Sequence, residues 1–386
     1  MTTILDTAAL AAPLVGRVWR PDRQGPSLVH LRDDHLFDVT GKQAPTMRDL
    51  LELDDPIGWL SAHTGEDLGP LDVIAANSRE AGRNPDQPWL LAPCDLQAIK
   101  ACGVTFARSM IERVIEERAA GDPTRAEQIR SSIAAIIGNS IAALVPGSAE
   151  AAHVKGVLQQ QGLWSQYLEV GIGPDAEVFT KSQPMSAVGW GASVGILAAS
   201  QWNNPEPEIV LAVDSKGRVR GVTLGNDVNL RDIEGRSALL LGKAKDNNAS
   251  CAIGPFIRLF DATFGMDQVR QAKLSLSIAG EDGYLLQGES RMDEISRDPL
   301  DLVAQARNAN HFYPDGFMLF TGTLFAPVED RDEPGQGFTH KVGDVVRIGA
   351  LGIGTLENRV ALCSDCPPWS FGVADLMRNL AGRKLL

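Results

Sequence analysis

The spacing of apolar residues divides the chain into three stretches. Over residues 14 to 95, short apolar runs are broken by Pro, Gly and Asp. "VGRVW", "PSLVHL" and "HLFDVT" read as strands, and "TMRDLLEL" reads as a helix opened by an N-cap Thr46. The proline-rich "NPDQPWLLAPCD" marks a boundary near residue 95, after which "AIKACGVTF" gives one more strand. Between 109 and 170 the period becomes helical, in "SMIERVIEERAAG", "TRAEQIRSSIAAIIGNSIAALVPG" and "SAEAAHVKGVLQQQGLW", with Gly or Pro at the breaks. From about 176 onward short strands return: "EVFTK", "EIVLAV", "RVRGVTL", "KLSLSIAG", "GFMLFTGTLF" and "DVVRIGALGIG", separated by glycine-rich turns. This pattern predicts an α+β, mainly β fold, and it differs from the alternating βαβ units of a parallel sheet. It divides into a small N-terminal α+β domain over 1–95 and a larger domain over 96–386. The larger domain carries a helical insertion at about 109–170.

Length and composition allow this division. The 386 residues suffice for one large domain or two unequal ones, and 44% apolar with 22% charged residues is an ordinary globular balance. With 36 Lys and Arg against 49 Asp and Glu, the net charge is −13. That excess argues against nucleic-acid partners and against an anionic membrane surface. The N-terminal "MTTILDTAALAAPLVGRVW" lacks the basic start of a signal peptide, and no apolar run is long enough for a membrane span. Five cysteines, sparse and odd in number, suggest a reducing, cytoplasmic setting. Cys363 and Cys366 form one CxxC, but a zinc site needs two further ligands and no second such pair exists.

The segment "NNPEPEIVLAV" sets Glu206 and Glu208 two apart at the head of an apolar run. In a strand, such residues share a face. "DSKG" at 214–217 is a turn signal, so "EIVLAV" and "RVRGVTLGNDVNLRD" form a hairpin. If Asp214 pairs with Gly217, Glu206 faces Gly225, and Asp227 lies diagonal to Glu206 on the same face. Three carboxylates then converge, which is costly unless a cation or a shared proton compensates. Oxygen ligands suit Mg²⁺ or Mn²⁺. On this reading Gly225 leaves room beside the site. The competing reading is a solvated acidic edge strand, with the prolines blocking edge pairing.

Taken in order, "PEPEIVLAV", "VTLGNDVNLRD", "AIGPFI", "FTGTLF" and "VGDVVRIGALGIGTLENRV" resemble the catalytic domain of the fumarylacetoacetate hydrolase family, over roughly 96–370. The resemblance implies a rolled, mixed β-sandwich with a Mg²⁺ or Mn²⁺ site, and it maps the metal carboxylates onto Glu206, Glu208 and Asp227. It also implies a catalytic lysine before "IGP", for which Lys245 fits better than Lys243. Thr323 takes the place of a threonine that holds the substrate carboxylate, and Lys181 that of a lysine at the pocket wall. A homodimer is the family expectation. One departure matters: where hydrolytic members often carry "GxNYxxH", this chain has "GVTFARSM", with Arg108 and Ser109 and no histidine. A guanidinium beside a hydroxyl suits a carboxylate or polyol rather than water activation.

Together with the helical insertion, that segment most resembles the branch that dehydrates 2-keto-3-deoxypentonates to 2,5-dioxopentanoate. Lys245 is then the first candidate for proton transfer. Glu112 or Glu116 on the lid, or Glu177 at the head of "EVFTK", supplies the second acid. Glu112 and Glu116 lie four apart on one helical face, a spacing equally usual on solvated helices. The alternatives are a hydrolase cleaving a C–C bond in a 2,4-diketo-3-deoxy sugar acid, and a non-catalytic oxo-acid sensor.

Overall fold

The computed structural model describes residues 4–106, 110, 144–160, 162, 164–323, 325, 329–332 and 337–386. Six strands precede the helical stretch: β1 (Leu14–Arg20), β2 (Gly25–Arg32), β3 (His35–Asp38), β4 (Glu66–Pro70), β5 (Trp89–Leu91) and β6 (Ala98–Gly103). After it come β7 (Glu177–Ser182), β8 (Ser193–Ile196), β9 (Asn203–Asn204), β10 (Pro207–Val213), β11 (Val219–Asp227), β12 (Asn229–Leu230) and β13 (Cys251–Leu259). The last are β14 (Lys273–Ala279), β15 (Leu285–Arg291), β16 (Phe317–Phe320), β17 (Val345–Ala350) and β18 (Gly354–Leu362).

Among the described residues these strands form an eleven-stranded sheet in the order β4-β3-β2-β1-β13-β11-β10-β16-β6-β7, with β5 beside β1. A five-stranded sheet runs β15-β14-β17-β18-β8, and β9 pairs with β12. Pairing is antiparallel except at β16–β6 and β18–β8. The mixed, mainly β expectation holds. The N-terminal strands join the large sheet where β1 pairs with β13, Val15 facing Ile257.

Strand β10 shows why its sequence is an unbroken apolar run. Ile209, Leu211 and Val213 enter one core cluster, while Val210 and Ala212 enter a second on the opposite face. A strand buried on both faces needs apolar residues at every position. The helix Met47–Glu52 starts where expected, with Thr46 accepting from the Asp49 amide.

Two expected strands stop short. "GFMLFTGTLF" ends as β16 at Phe320, because Gly322 takes a left-handed φ of +92°. "DVVRIGALGIG" ends as β17 at Ala350 and turns through Gly352 and Gly354, at φ +76° and +117°, into β18. Of the helical stretch, Ala149–Gln160 forms a helix as expected. The segments "SMIERVIEERAAG" and "TRAEQIRSSIAAIIGNSIAALVPG" lie almost wholly outside the described residues.

Candidate metal centre

The hairpin forms, but not in the expected register. Gly217, at φ +83°, closes the Asp214 turn with a 3.0 Å bond from its N–H to the Asp214 carbonyl. Asp214 pairs with Arg218 rather than Gly217, because its carboxylate accepts from the Arg218 amide at 2.8 Å. A left-handed glycine after a three-residue loop is a common hairpin bulge. A second irregularity falls between Ala212 and Val213. The total slip is two residues: Glu208, not Glu206, faces Gly225, and the Asp227 amide donates to the Glu206 carbonyl at 3.0 Å. An even slip preserves the face. Glu206, Glu208 and Asp227 therefore still converge, and one oxygen from each lies within 4.8 Å of the others.

All three carboxylates are buried, at 6%, 2% and 2% exposure. Strand β10 lies inside the sheet between β11 and β16, so the acidic-edge reading does not hold. Pro207 is tolerated as the first strand residue, since pairing with β16 begins only at Val210. Gly225 does not open space for a ligand. An added Cβ there would lie 2.2 Å from the Phe320 ring and 2.6 Å from Val210, so the glycine makes room for the core beneath the site.

Two lysines counter the acids. Lys245 ends the short helix Leu241–Lys245, and its Nζ donates to Glu206 Oε2 at 2.5 Å and to Asp227 Oδ2 at 3.0 Å. Burial works against its charge, but Asp227 and Glu206 outweigh it and raise the pKa above the ordinary lysine value. Lys243, on the same helix, is exposed. Lys181 has no exposed surface. Its Nζ donates to the Val228 carbonyl at 3.1 Å and the Lys245 carbonyl at 2.5 Å, and lies 2.8 Å from Asp227 Oδ1. Glu208 is held by the Gly322 amide at 2.6 Å. Burial pushes the Glu208 carboxyl well above its ordinary range, and the neighbouring Asp227 and Glu206 add to the shift. Three buried carboxylates offering oxygen donors within 4.8 Å of one another fit a hard divalent cation.

Thr323 follows Gly322 immediately, and its hydroxyl accepts from the Phe325 amide at 3.2 Å. Glu177 begins β7 opposite Gly103, where an added Cβ would meet its Oε2 at 1.9 Å. Burial raises the Cys102 thiol, and the charges of Glu208 and Glu177 raise it further. Arg108, Ser109, Glu112 and Glu116 lie outside the described residues. Sequence reasoning missed the Gly322 amide and Asn229, although Asn229 stands inside the "VTLGNDVNLRD" motif. The buried Cys366 and half-buried Cys363 are free thiols. The described residues hold no metal-competent cluster besides the three carboxylates, and no described helix is long and apolar enough to cross a membrane.

Fold and site define a class: a mainly β protein whose buried carboxylates are arranged for a divalent cation. A family model described as fumarylacetoacetate (FAA) hydrolase C-terminal matches residues 163–361, more than half of the chain. The chain belongs to the fumarylacetoacetate hydrolase family. It is 30% identical over 180 residues to a 2-dehydro-3-deoxy-D-arabinonate dehydratase of Saccharolobus solfataricus, covering 47% of this chain and 57% of that protein. It is 30% identical over 227 residues to a probable 2-keto-3-deoxyxylonate dehydratase of Haloferax volcanii, covering 56% of this chain and 74% of that one. The chain thus spans less than two thirds of the length of the first relative. A solved 2-keto-3-deoxy-D-arabinonate dehydratase complexed with magnesium and 2,5-dioxopentanoate shares the fold, with a TM-score of 0.63 at 19% identity over 90% of this chain and 99% of that chain.

Proposed function

We propose that this chain is a cytoplasmic, homodimeric, metal-dependent hydro-lyase. It dehydrates a 2-keto-3-deoxy-D-pentonate of the xylonate or arabinonate series to 2,5-dioxopentanoate, a step of non-phosphorylating pentose breakdown. The observation that carries this reading is the buried trio Glu206, Glu208 and Asp227, two of which, Glu206 and Asp227, are bridged by the Lys245 ammonium. The two dehydratase relatives supply the substrate class.

Glu206, Glu208 and Asp227 would hold Mg²⁺ or Mn²⁺, which when bound supplies Lewis acidity toward a carboxylate and its neighbouring 2-oxo group. Lys245, kept as an ammonium by two carboxylates, stabilises negative charge developing on the 2-oxo oxygen and returns protons. Glu177, half-buried at the β6–β7 end of the sheet, takes the C3 proton. The C4–O bond then breaks, and the hydroxyl leaves as water with one added proton. Loss of a C5 proton and tautomerisation give the aldehyde, so the net change is one water. In this reading Arg108, Ser109 and Thr323 hold substrate oxygens and Lys181 backs the pocket. Glu112 serves as a second acid on a lid over about 109–170 that excludes water.

Incubation with a 2-keto-3-deoxy-D-pentonate and Mg²⁺ should yield one 2,5-dioxopentanoate per substrate. EDTA should stop the reaction, and Glu206→Ala should abolish it with an unchanged circular dichroism spectrum. Pyruvate release from a 2,4-diketo acid would make the protein a C–C hydrolase instead. Binding of an α-keto acid without any turnover would make it a sensor.

A further inference from the structure

Asn229 has no exposed surface and lies on β12, two residues beyond Asp227. Its Nδ2 donates to Glu206 Oε1 at 3.0 Å and to Glu234 Oε2 at 2.6 Å. Both protons of one amide therefore go to carboxylates. The orientation of the amide is fixed by chemistry: rotating it would set its carbonyl oxygen against two carboxylate oxygens, acceptor facing acceptor. Glu206 is consequently gripped at both ends, by a neutral amide at Oε1 and by Lys245 at Oε2. Glu208 has the Gly322 amide in the comparable place.

We infer that Asn229 is a positioning residue for the metal centre. It sets the plane of the Glu206 carboxylate and couples that carboxylate to Glu234 on the short helix Arg231–Glu234. The inference rests on the divalent-ion reading of the site. Because Asn229 is neutral, its removal leaves the formal charge of the centre unchanged and takes one donor each from Glu206 and Glu234. Groups that orient metal ligands typically contribute 10- to 100-fold in metal affinity.

The test is Mn²⁺ titration of the full chain, followed by electron paramagnetic resonance as the free-ion signal disappears. Asn229→Ala should weaken Mn²⁺ binding by about tenfold or more. Asn229→Ser keeps one donor for two acceptors and should fall between that variant and the unchanged protein. It carries the test if the alanine variant does not fold. Leu380→Ala, in the C-terminal helix Val373–Gly382, is the control for stability loss and should leave Mn²⁺ affinity unchanged. The role assigned to Asn229 is overturned if the folded Asn229 variants bind Mn²⁺ within twofold of the unchanged protein, or if Leu380→Ala weakens binding as much. If the unchanged protein binds no Mn²⁺ at all, the metal reading itself falls, and the role of Asn229 with it.

Discussion

Lys181 carries a charge with no surface in water, and the chain satisfies it with two carbonyls and one carboxylate. Val228 follows Asp227 directly and Lys245 is the other cation of the cluster, so one ammonium ties β7 to backbone 47 and 64 residues further along the chain. Removing Lys181 takes the partner from Asp227 Oδ1 and the donor from two buried carbonyls, although Lys245 still pairs with Asp227 Oδ2. Lys181→Met should therefore lower the unfolding free energy by about 3 kcal/mol, read from urea titration. Lys243→Met, at an exposed position two residues before Lys245, should change it by less than about 0.5 kcal/mol. Gly225 makes a comparable demand through shape. Gly225→Ala drives a methyl into the Phe320 ring and Val210, and overpacking of this kind costs about 1–3 kcal/mol in the same measurement.

At the scale of elements, strands buried on both faces explain why polar groups within them have such large consequences. His30 lies in β2, between β1 and β3, and its Nδ1 has no hydrogen-bond partner among the described residues. Burial, with help from the Arg32 charge, lowers its pKa from 6.5 to about 4. The unfolded imidazole takes up a proton below about 6.5, while the folded one stays neutral until about 4. Protons thus favour the unfolded chain across that window. Stability from this residue is fully present above it and is lost as pH falls, by about 3 kcal/mol in all. His30→Leu should flatten that part of the stability-against-pH curve; an unchanged slope would show that the penalty lies elsewhere. The β10–β11 hairpin shows the opposite tolerance. Its two irregularities move the register by an even number, so the turn can differ from expectation without turning either glutamate away from the site.

For the whole molecule, the centre places three buried carboxylates against two ammonium groups, and Glu208 bears the strain as a raised pKa. A divalent ion that binds only the folded chain stabilises it by mass action, about 2.7 kcal/mol at a hundredfold excess over its Kd. Thermal unfolding should therefore move to higher temperature with Mg²⁺ at neutral pH. The shift should shrink as pH is lowered, because burial beside Asp227 and Glu206 raises the Glu208 carboxyl and a proton there competes with the ion. In Glu208→Gln the Mg²⁺ shift should largely vanish. An equal shift in that variant would place the ion outside this centre.

Much of this was legible in one dimension, because strand periodicity is local. The two-residue spacing of Glu206 and Glu208 places both on one face, and the odd-numbered place of Asp227 across a four-residue turn signal adds it to that face for any register an even number of residues from the expected one. The apolar runs of β1 and β10 likewise announce themselves. By contrast, β15, with polar residues on both faces of "LLQGESR", left no comparable pattern. Which lysine is buried, which amide holds Glu208 from 114 residues away, and which asparagine clamps Glu206 were decided only when distant strands packed together. The sequence alone determined the acids and their common face, since side-chain direction follows from the backbone repeat. The tertiary structure decided their partners, since burial and hydrogen bonding between remote segments depend on how the sheets close.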